Sequence, residues 1–317
     1  MSRIESMEDV LSFVRAAEAG SFATAATRLH LTRSAVGKAV ARLEAQLGVR
    51  LFHRTTRKLS LTVEGTALFE HCQRAIRELE TGAEAARSGL DAPRGLLRVT
   101  VPVLFGRVCV APVLTEWVAR HRDAQLETVF TDGRVDLVEE GFDLGVRIGP
   151  LENTTGLVAR AVGQQRMVLC AAPRYLRRRR RPKTIDELAD HDAVVYRAAG
   201  VTRPWLVLDE NGLERRAPIS PRLAFDDVQA IIDATVAGAG IARLPCWLLA
   251  RTVARGELEV LLDSSRVVPT PIHVIRPAAP WVPTRTRSAI ETLLEKLPAR
   301  LAADDRAARR RIGARLC

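Results

Sequence analysis

Ser34, Lys38 and Arg42 stand four residues apart in the stretch LTRSAVGKAVARLE (31–44), with a glycine, Gly37, among them. At about 100° per residue, Ser34, Lys38, Ala41 and Ala45 share one side of a helix, with Gly37 and Arg42 at its edges. Val36, Val40, Leu43 and Leu47 share the opposite side. The apolar back suits a core. The front holds small, hydroxyl and basic groups, which suit close approach to a nucleic-acid groove, where lysine and arginine reach phosphate oxygens or guanine edges. A glycine in mid-helix costs about 1 kcal/mol relative to alanine, and a groove floor in place of the missing side chain accounts for it. A surface helix that tolerates its glycine is the competing reading of these residues alone.

A second basic group follows. VRLFHRTTRKLSLT (49–62) reads as strand, turn, strand, with Leu51 and Phe52 before the turn and Leu59 and Leu61 after it. Its tip gathers Arg54, Arg57 and Lys58 with two threonine hydroxyls, suited to backbone phosphate or the minor groove. A solvated basic turn is the alternative.

A third group could hold a small anion. The loop TVPVLFG (100–106) leaves a strand and opens a helix, so its free backbone N–H groups can accept negative charge. Thr100 offers a hydroxyl, while Val101, Pro102, Val103 and Leu104 predict apolar walls. Arg147, ending LGVRIG, suits either a ligand carboxylate or an internal pair with Asp132 or Asp143. Phe225 and Asp226, beside the helix start DDVQA, are further candidates.

These groups need elements to place them. Met7, Val10, Leu11, Val14 and Ala17 follow a helical period that Gly20 ends. Ser21 caps a second helix, SFATAATRLH; Leu31 fills a tight turn; and Thr32 caps the third. Two short helices joined this way, the second with a polar or basic front, make a helix-turn-helix, and the basic hairpin after it makes a wing. Thr62 caps a long helix whose Leu68, Cys72, Ala75, Ile76, Leu79, Ala83, Ala86 and Leu90 recur at threes and fours, the pattern of a two-helix seam. From Gly95 onward strands and helices alternate, predicting a mainly parallel α/β domain with a ligand crevice at the carboxyl ends of its strands. TRTRSAIETLLEKL is a final amphipathic helix, and 302–317 reads as a basic, poorly ordered tail.

The whole chain of 317 residues bounds the function. A net charge of +11 favours a polyanionic partner, although the excess is spread out and only four of the 48 basic residues are lysines. No apolar run reaches the ~18 residues of a spanning helix. The N-terminus lacks a basic region followed by an apolar run, so neither a signal peptide nor a membrane partner is expected. Five dispersed cysteines and six scattered histidines form no CxxC or Cys/His cluster, so no metal or other cofactor is expected. The histidines have no motif partners, and no GxSxG or glycine-rich phosphate loop is present, so an enzyme is not expected. A periplasmic solute-binding protein would share the α/β architecture but would not carry a winged helix. The arginine run 177–181 reads as solvated surface.

The N-terminal residues resemble the LysR-type transcriptional regulators. The likeness runs through GSFATAA, RLEAQLGVRLF, RTTRKLSLT and the glycine of EG, in order and spacing, and more loosely through LRVTVPVLFG, DGRVDLVEEGFDLGVRIG, AAPRYL, DELADHD, VAGAGIARLP and GELEVLL. It implies a winged helix-turn-helix over 1–65, a linker and dimerisation helix over 66–91, and a two-lobed, periplasmic-binding-protein-like effector domain over 92–300. Lobe one would take about 92–163 and 270–297, lobe two about 164–269, with a basic tail at 301–317. By motif, the resemblance places DNA contacts on Thr32, Arg33, Ser34, Gly37, Lys38 and Arg42 in the recognition helix and on Arg54, Thr56 and Arg57 in the wing. At Gly37 the family usually has serine, so that position offers its backbone alone. Effector contacts would fall on Thr100, Pro102, Val103, Leu104, Arg147, Phe225 and Asp226. The implied partners are double-stranded promoter DNA, a small-molecule effector such as an organic acid or aromatic metabolite, and a second copy, as a homodimer or a dimer of dimers, in the cytoplasm.

Overall fold

The computed structural model describes residues 4–54, 59–86, 92–151, 155–209, 211–262 and 267–312. The chain divides into two compact units, Met1–Leu90 and Asp91–Cys317.

In the first unit, α1 (Met7–Ala19) starts at Ser6, whose hydroxyl accepts the Asp9 N–H, and ends at Gly20 with φ +59°. Ser21 caps α2 (Phe22–Leu29) through the Thr24 N–H, and Thr32 caps α3 (Arg33–Leu47) through the Ala35 N–H. The turn between α2 and α3 is made by His30 in left-handed conformation, while Leu31 stays exposed instead of filling it. Val36, Val40 and Leu43 are buried against Phe13, Val14 and Ala25, as the apolar back of α3 requires. β1 (Phe52–Arg54) and β2 (Leu59–Leu61) pair antiparallel. Phe52 packs between Phe13 and Phe22, with ring centroids 5.4 and 5.6 Å away.

Thr62 then caps α4 (Val63–Ala86), accepting the Gly65 N–H at 2.9 Å and donating to the Arg50 carbonyl at 2.7 Å. The glycine of EG is required here: a Cβ on Gly65 would lie 2.1 Å from the Leu51 carbonyl oxygen. Cys72 and the partly buried Phe69 join this core, whereas Val63 and Leu79 are exposed.

The second unit holds two sheets. β3 (Gly95–Val101) leads through a helical turn, α5 (Val103–Phe105), and a π-helical segment (Gly106–Val110) into α6 (Ala111–Arg120). β4 (Ala124–Phe130) and β5 (Leu144–Ile148) flank β3 in parallel. β6 (Leu157–Gln165) then carries the chain to the second sheet. There β7 (Met167–Ala171), α7 (Pro173–Leu176) and a 3-10 turn (Asp186–Asp190) precede β8 (Asp192–Ala198) and β9 (Val201–Thr202). β10 (Leu206–Leu208) and β11 (Glu214–Arg216) form a separate hairpin. β12 (Ser220–Phe225), α8 (Val228–Val236), β13 (Ile241–Pro245), α9 (Cys246–Ala254) and β14 (Glu259–Leu261) complete this half, and β15 (Thr270–Pro277) returns to the first sheet. The orders are β4-β3-β5-β15-β6 and β12-β8-β13-β7-β14, with β9 on β8.

The mainly parallel expectation needs correction. β15 runs antiparallel to β5 and β6, and β13 and β14 run antiparallel to β7. Parallel pairing survives where the chain crosses over within one sheet, through α5 and α6 between β3 and β4 and past the β10–β11 hairpin between β8 and β12. It fails where the chain passes straight from one sheet to the other and must enter it reversed. Two elements were not singled out from the sequence: β6, an edge strand with mostly exposed residues, and α9.

The C-terminal helix also differs. α10 (Thr284–Ile312) continues through Pro298, so the stretch read as a poorly ordered tail is helical as far as 312; 313–317 lie outside the described residues. Leu293, Leu297 and Leu301, four residues apart across the proline, are all buried in the core. Their packing outweighs the one backbone hydrogen bond that proline removes. The same core joins Leu97, Val99 and Val101 of the first sheet to Val168, Cys170 and Leu244 of the second.

Candidate DNA interface and effector cleft

On α3 the residues opposite the core are free to meet a partner. Arg33, Ser34, Lys38 and Ala41 are exposed. Among the described residues, no side-chain hydrogen bond or ion pair engages Arg33, Ser34 or Lys38. Thr32 spends its oxygen on the Ala35 N–H at 3.1 Å and keeps its hydroxyl proton for a further acceptor. Gly37 lies in regular right-handed helix with open space beside it.

Arg42 differs from its neighbours. Its Nε and Nη2 donate to the two oxygens of Asp9, at 3.1 and 2.5 Å, and the Asp9 side chain is 1% exposed. The hydrogen bond to Asp9 raises the Arg42 pKa further. Its first role is therefore inside the fold, tying α3 to α1. Glu44 makes a similar tie: its Oε1 accepts the N–H groups of Leu51 and Phe52, at 2.8 and 3.3 Å. The sequence reading missed both ties, since their partners lie on other elements. Arg54 ends β1; Thr56 and Arg57, with Lys58, lie outside the described residues.

In the second unit Thr100, fully buried on β3, accepts from Arg147 Nη2 at 3.3 Å, and Arg147 Nη1 donates to the Val146 carbonyl at 2.9 Å. Neither Asp132 nor Asp143 forms an ion pair with Arg147. Asp143 accepts the Arg98 N–H at 2.8 Å and lies 3.7 Å from Arg285. Asp132 accepts the Val103 N–H at 3.3 Å, which already occupies one of the loop N–H groups expected to receive an anion. Burial lowers the Arg147 pKa, against the opposing pull of Glu140 and Asp132. Burial raises that of Asp132, against the Val103 N–H, Arg203 and Arg147.

Asp132 therefore feels charges from both lobes: Arg147 from the first, Arg203 and Asp227 from the second. Arg203 stacks 4.7 Å over the Tyr196 ring. Asp227 caps α8 through the Ala230 N–H at 2.7 Å. Pro102 and Val103 are partly exposed, whereas Leu104 is buried in the core. Phe225 is half-buried against the core at the end of β12, with Asp226 next in the chain. Arg243, on β13, donates to the Val268 carbonyl at 2.8 Å while its Nε has no partner, and burial lowers its pKa to about 10. Tyr196, Arg203 and Arg243 were not singled out from the sequence, where nothing in their spacing marks them. Strand pairing brings them together.

Cys170 offers little redox chemistry. It is fully buried and its thiol is pushed up to about 12, far from a reactive thiolate. Among the described residues no group of His, Cys, Asp and Glu could hold a metal, and no helix is long and apolar enough to cross a membrane. Within the arginine run, Arg179 lies 3.7 Å from Asp192 and Arg181 bonds Glu259 at 2.8 Å.

A match over residues 7–66 to the bacterial regulatory helix-turn-helix protein, lysR family, adjoins one over residues 90–298 to the LysR substrate binding domain. The chain belongs to the LysR-type transcriptional regulators. The LysR-type regulator CrgA of Neisseria meningitidis is 33% identical over 291 residues, covering 92% of this chain and 96% of that protein. The transcriptional regulator PtxR of Pseudomonas aeruginosa is 34% identical over 303 residues, with 93% and 95% covered. Among solved LysR-type structures, CrgA aligns with a TM-score of 0.57 at 31% identity, covering 93% of this chain and 99% of that one. The full-length Vibrio cholerae virulence activator AphB aligns at 0.58 and 21% identity, covering 92% and 99%, a likeness of fold.

Proposed function

We propose that this LysR-type regulator binds promoter DNA sequence-specifically and that a small organic acid or aromatic metabolite, held between its two lobes, modulates promoter binding or activation. The observation that carries the first part is the exposed face of α3, where Arg33, Ser34 and Lys38 have no partners among the described residues while Val36, Val40 and Leu43 are buried behind them. In this reading residues 1–65 contact DNA through Thr32, Arg33, Ser34, Gly37 and Lys38 and through Arg54, Thr56 and Arg57 of the wing, and Arg42 adds at most its remaining Nη1. The α4 helix, with Leu79 exposed, pairs two copies, and two such dimers associate on DNA. Residues 92–300 hold the effector in the cytoplasm, its acid group on Arg147 beside Thr100. A partly buried arginine with no carboxylate partner among the described residues favours an anionic ligand.

The test is fluorescence anisotropy on duplex DNA from upstream of the protein's own gene, with scrambled duplex as competitor, across a salt series. Competitor-resistant binding that Lys38→Ala weakens supports the reading, and the salt slope counts phosphate contacts. Equal loss on both duplexes as salt rises overturns it.

A further inference from the structure

Nothing among the described residues requires a glycine at position 37. Its φ lies in the right-handed region, and a Cβ built on it would meet no atom within 4 Å. Gly65, by contrast, has a carbonyl oxygen in the way, and Gly20 and Gly48 sit at positive φ. Alanine at position 37 would fit and would strengthen the helix. The open space also points outward, among the exposed Ser34, Lys38 and Ala41 and away from the buried Val36, Ala39 and Val40.

We propose that Gly37 is a specificity-determining residue, the point where the α3 backbone comes nearest the base edges and selects base pairs by shape. This rests on the reading that α3 lies in the major groove. Side chains around it contact phosphates and bases by hydrogen bonds, while the gap at Gly37 admits groups projecting from the groove floor that any Cβ would push away. Position 37 thus sets which duplex is accepted, with little effect on general attraction to DNA.

The experiment uses the full-length wild type, Gly37→Ala and Gly37→Ser. Each is put through binding selection on a randomised duplex pool, anisotropy on the duplex the wild type enriches, anisotropy on mixed-sequence duplex, and a thermal melt. The expected result is that Gly37→Ala melts higher than the wild type and that both variants lose much less affinity on mixed-sequence duplex than on the duplex the wild type enriches. Both bind the wild-type duplex roughly tenfold or more weakly and enrich different bases at adjacent pairs of each half-site. Variants that enrich the wild-type sequence and bind it within roughly twofold of wild type overturn the proposal and leave the glycine a tolerated weakness. A wild type that enriches no sequence overturns the operator-reading role of α3 itself, and the proposal with it.

Discussion

The guanidinium of Arg42 in α3 is held by the buried carboxylate of Asp9 in α1 through two nitrogens. An arginine aligned with Lys38 on the helix surface thereby fixes how the helix sits on its neighbour. Arg42→Ala strands a buried carboxylate, and the expected outcome is a lower melting temperature with DNA affinity falling alongside it. Lys38→Ala should leave the melt unchanged and weaken DNA binding alone. Differential scanning calorimetry of the two variants, beside anisotropy, separates the roles; an unchanged melt for Arg42→Ala would remove the structural one.

Two glycines on helices predict opposite signs. Gly65→Ala drives a methyl into the Leu51 carbonyl, a backbone atom that cannot swing aside. The expected loss is about 3 kcal/mol, the upper part of the overpacking range, read by urea unfolding. Gly37→Ala should gain about 1 kcal/mol by the same measurement.

Arg147→Gln keeps a hydrogen-bonding group beside Thr100 but removes the charge. For an acid effector found by thermal-shift screening, affinity should fall about 10- to 100-fold, the worth of a hydrogen bond to a charged group. DNA binding without effector should be unchanged. Calorimetric titration showing equal affinity for both proteins would move the acid group elsewhere.

His191 makes stability depend on pH. The Tyr175 hydroxyl oxygen accepts the Asp192 N–H at 3.0 Å and lies 3.2 Å from His191 Nδ1. Burial, then Arg179, lowers the His191 pKa. The folded protein thus resists a proton that the unfolded chain accepts near pH ~6.5. This contribution is complete above that pH and is lost as pH falls toward the lowered folded value. Melting temperatures from pH 7.5 down to 5 should fall more steeply for the wild type than for His191→Gln. Parallel slopes would show that His191 does not drive the dependence.

Local features were the most legible in the sequence. Ser21, Thr32 and Thr62 cap the helices that follow them, and Gly20 ends the first, because such bonds span only a few residues. The apolar back of α3 was legible through Val36, Val40 and Leu43. Contacts that join distant elements were not: Asp9 meets Arg42 across 33 residues, and neither type nor spacing announces the pair. Edge strand β6 lacks an alternating pattern, so nothing marked it as a strand. The final helix was legible as far as Leu297, whose apolar spacing is local, whereas the burial of Leu301 beyond Pro298 was not. In the second unit, Thr100 and Arg147 were named from the sequence, with Asp132 as a possible partner of Arg147; Tyr196 and Arg203 join them through sheet topology.

Glu44 has a consequence for how operators can vary. One carboxylate oxygen at the end of α3 grips two successive amides at the root of the hairpin, so the helix and the root of the wing move as one solid piece. On the proposed reading, in which helix and hairpin both meet DNA, the spacing between their contacts at the root of the hairpin is then set by the protein. Half-sites would differ in their letters more readily than in the number of base pairs between those two contacts.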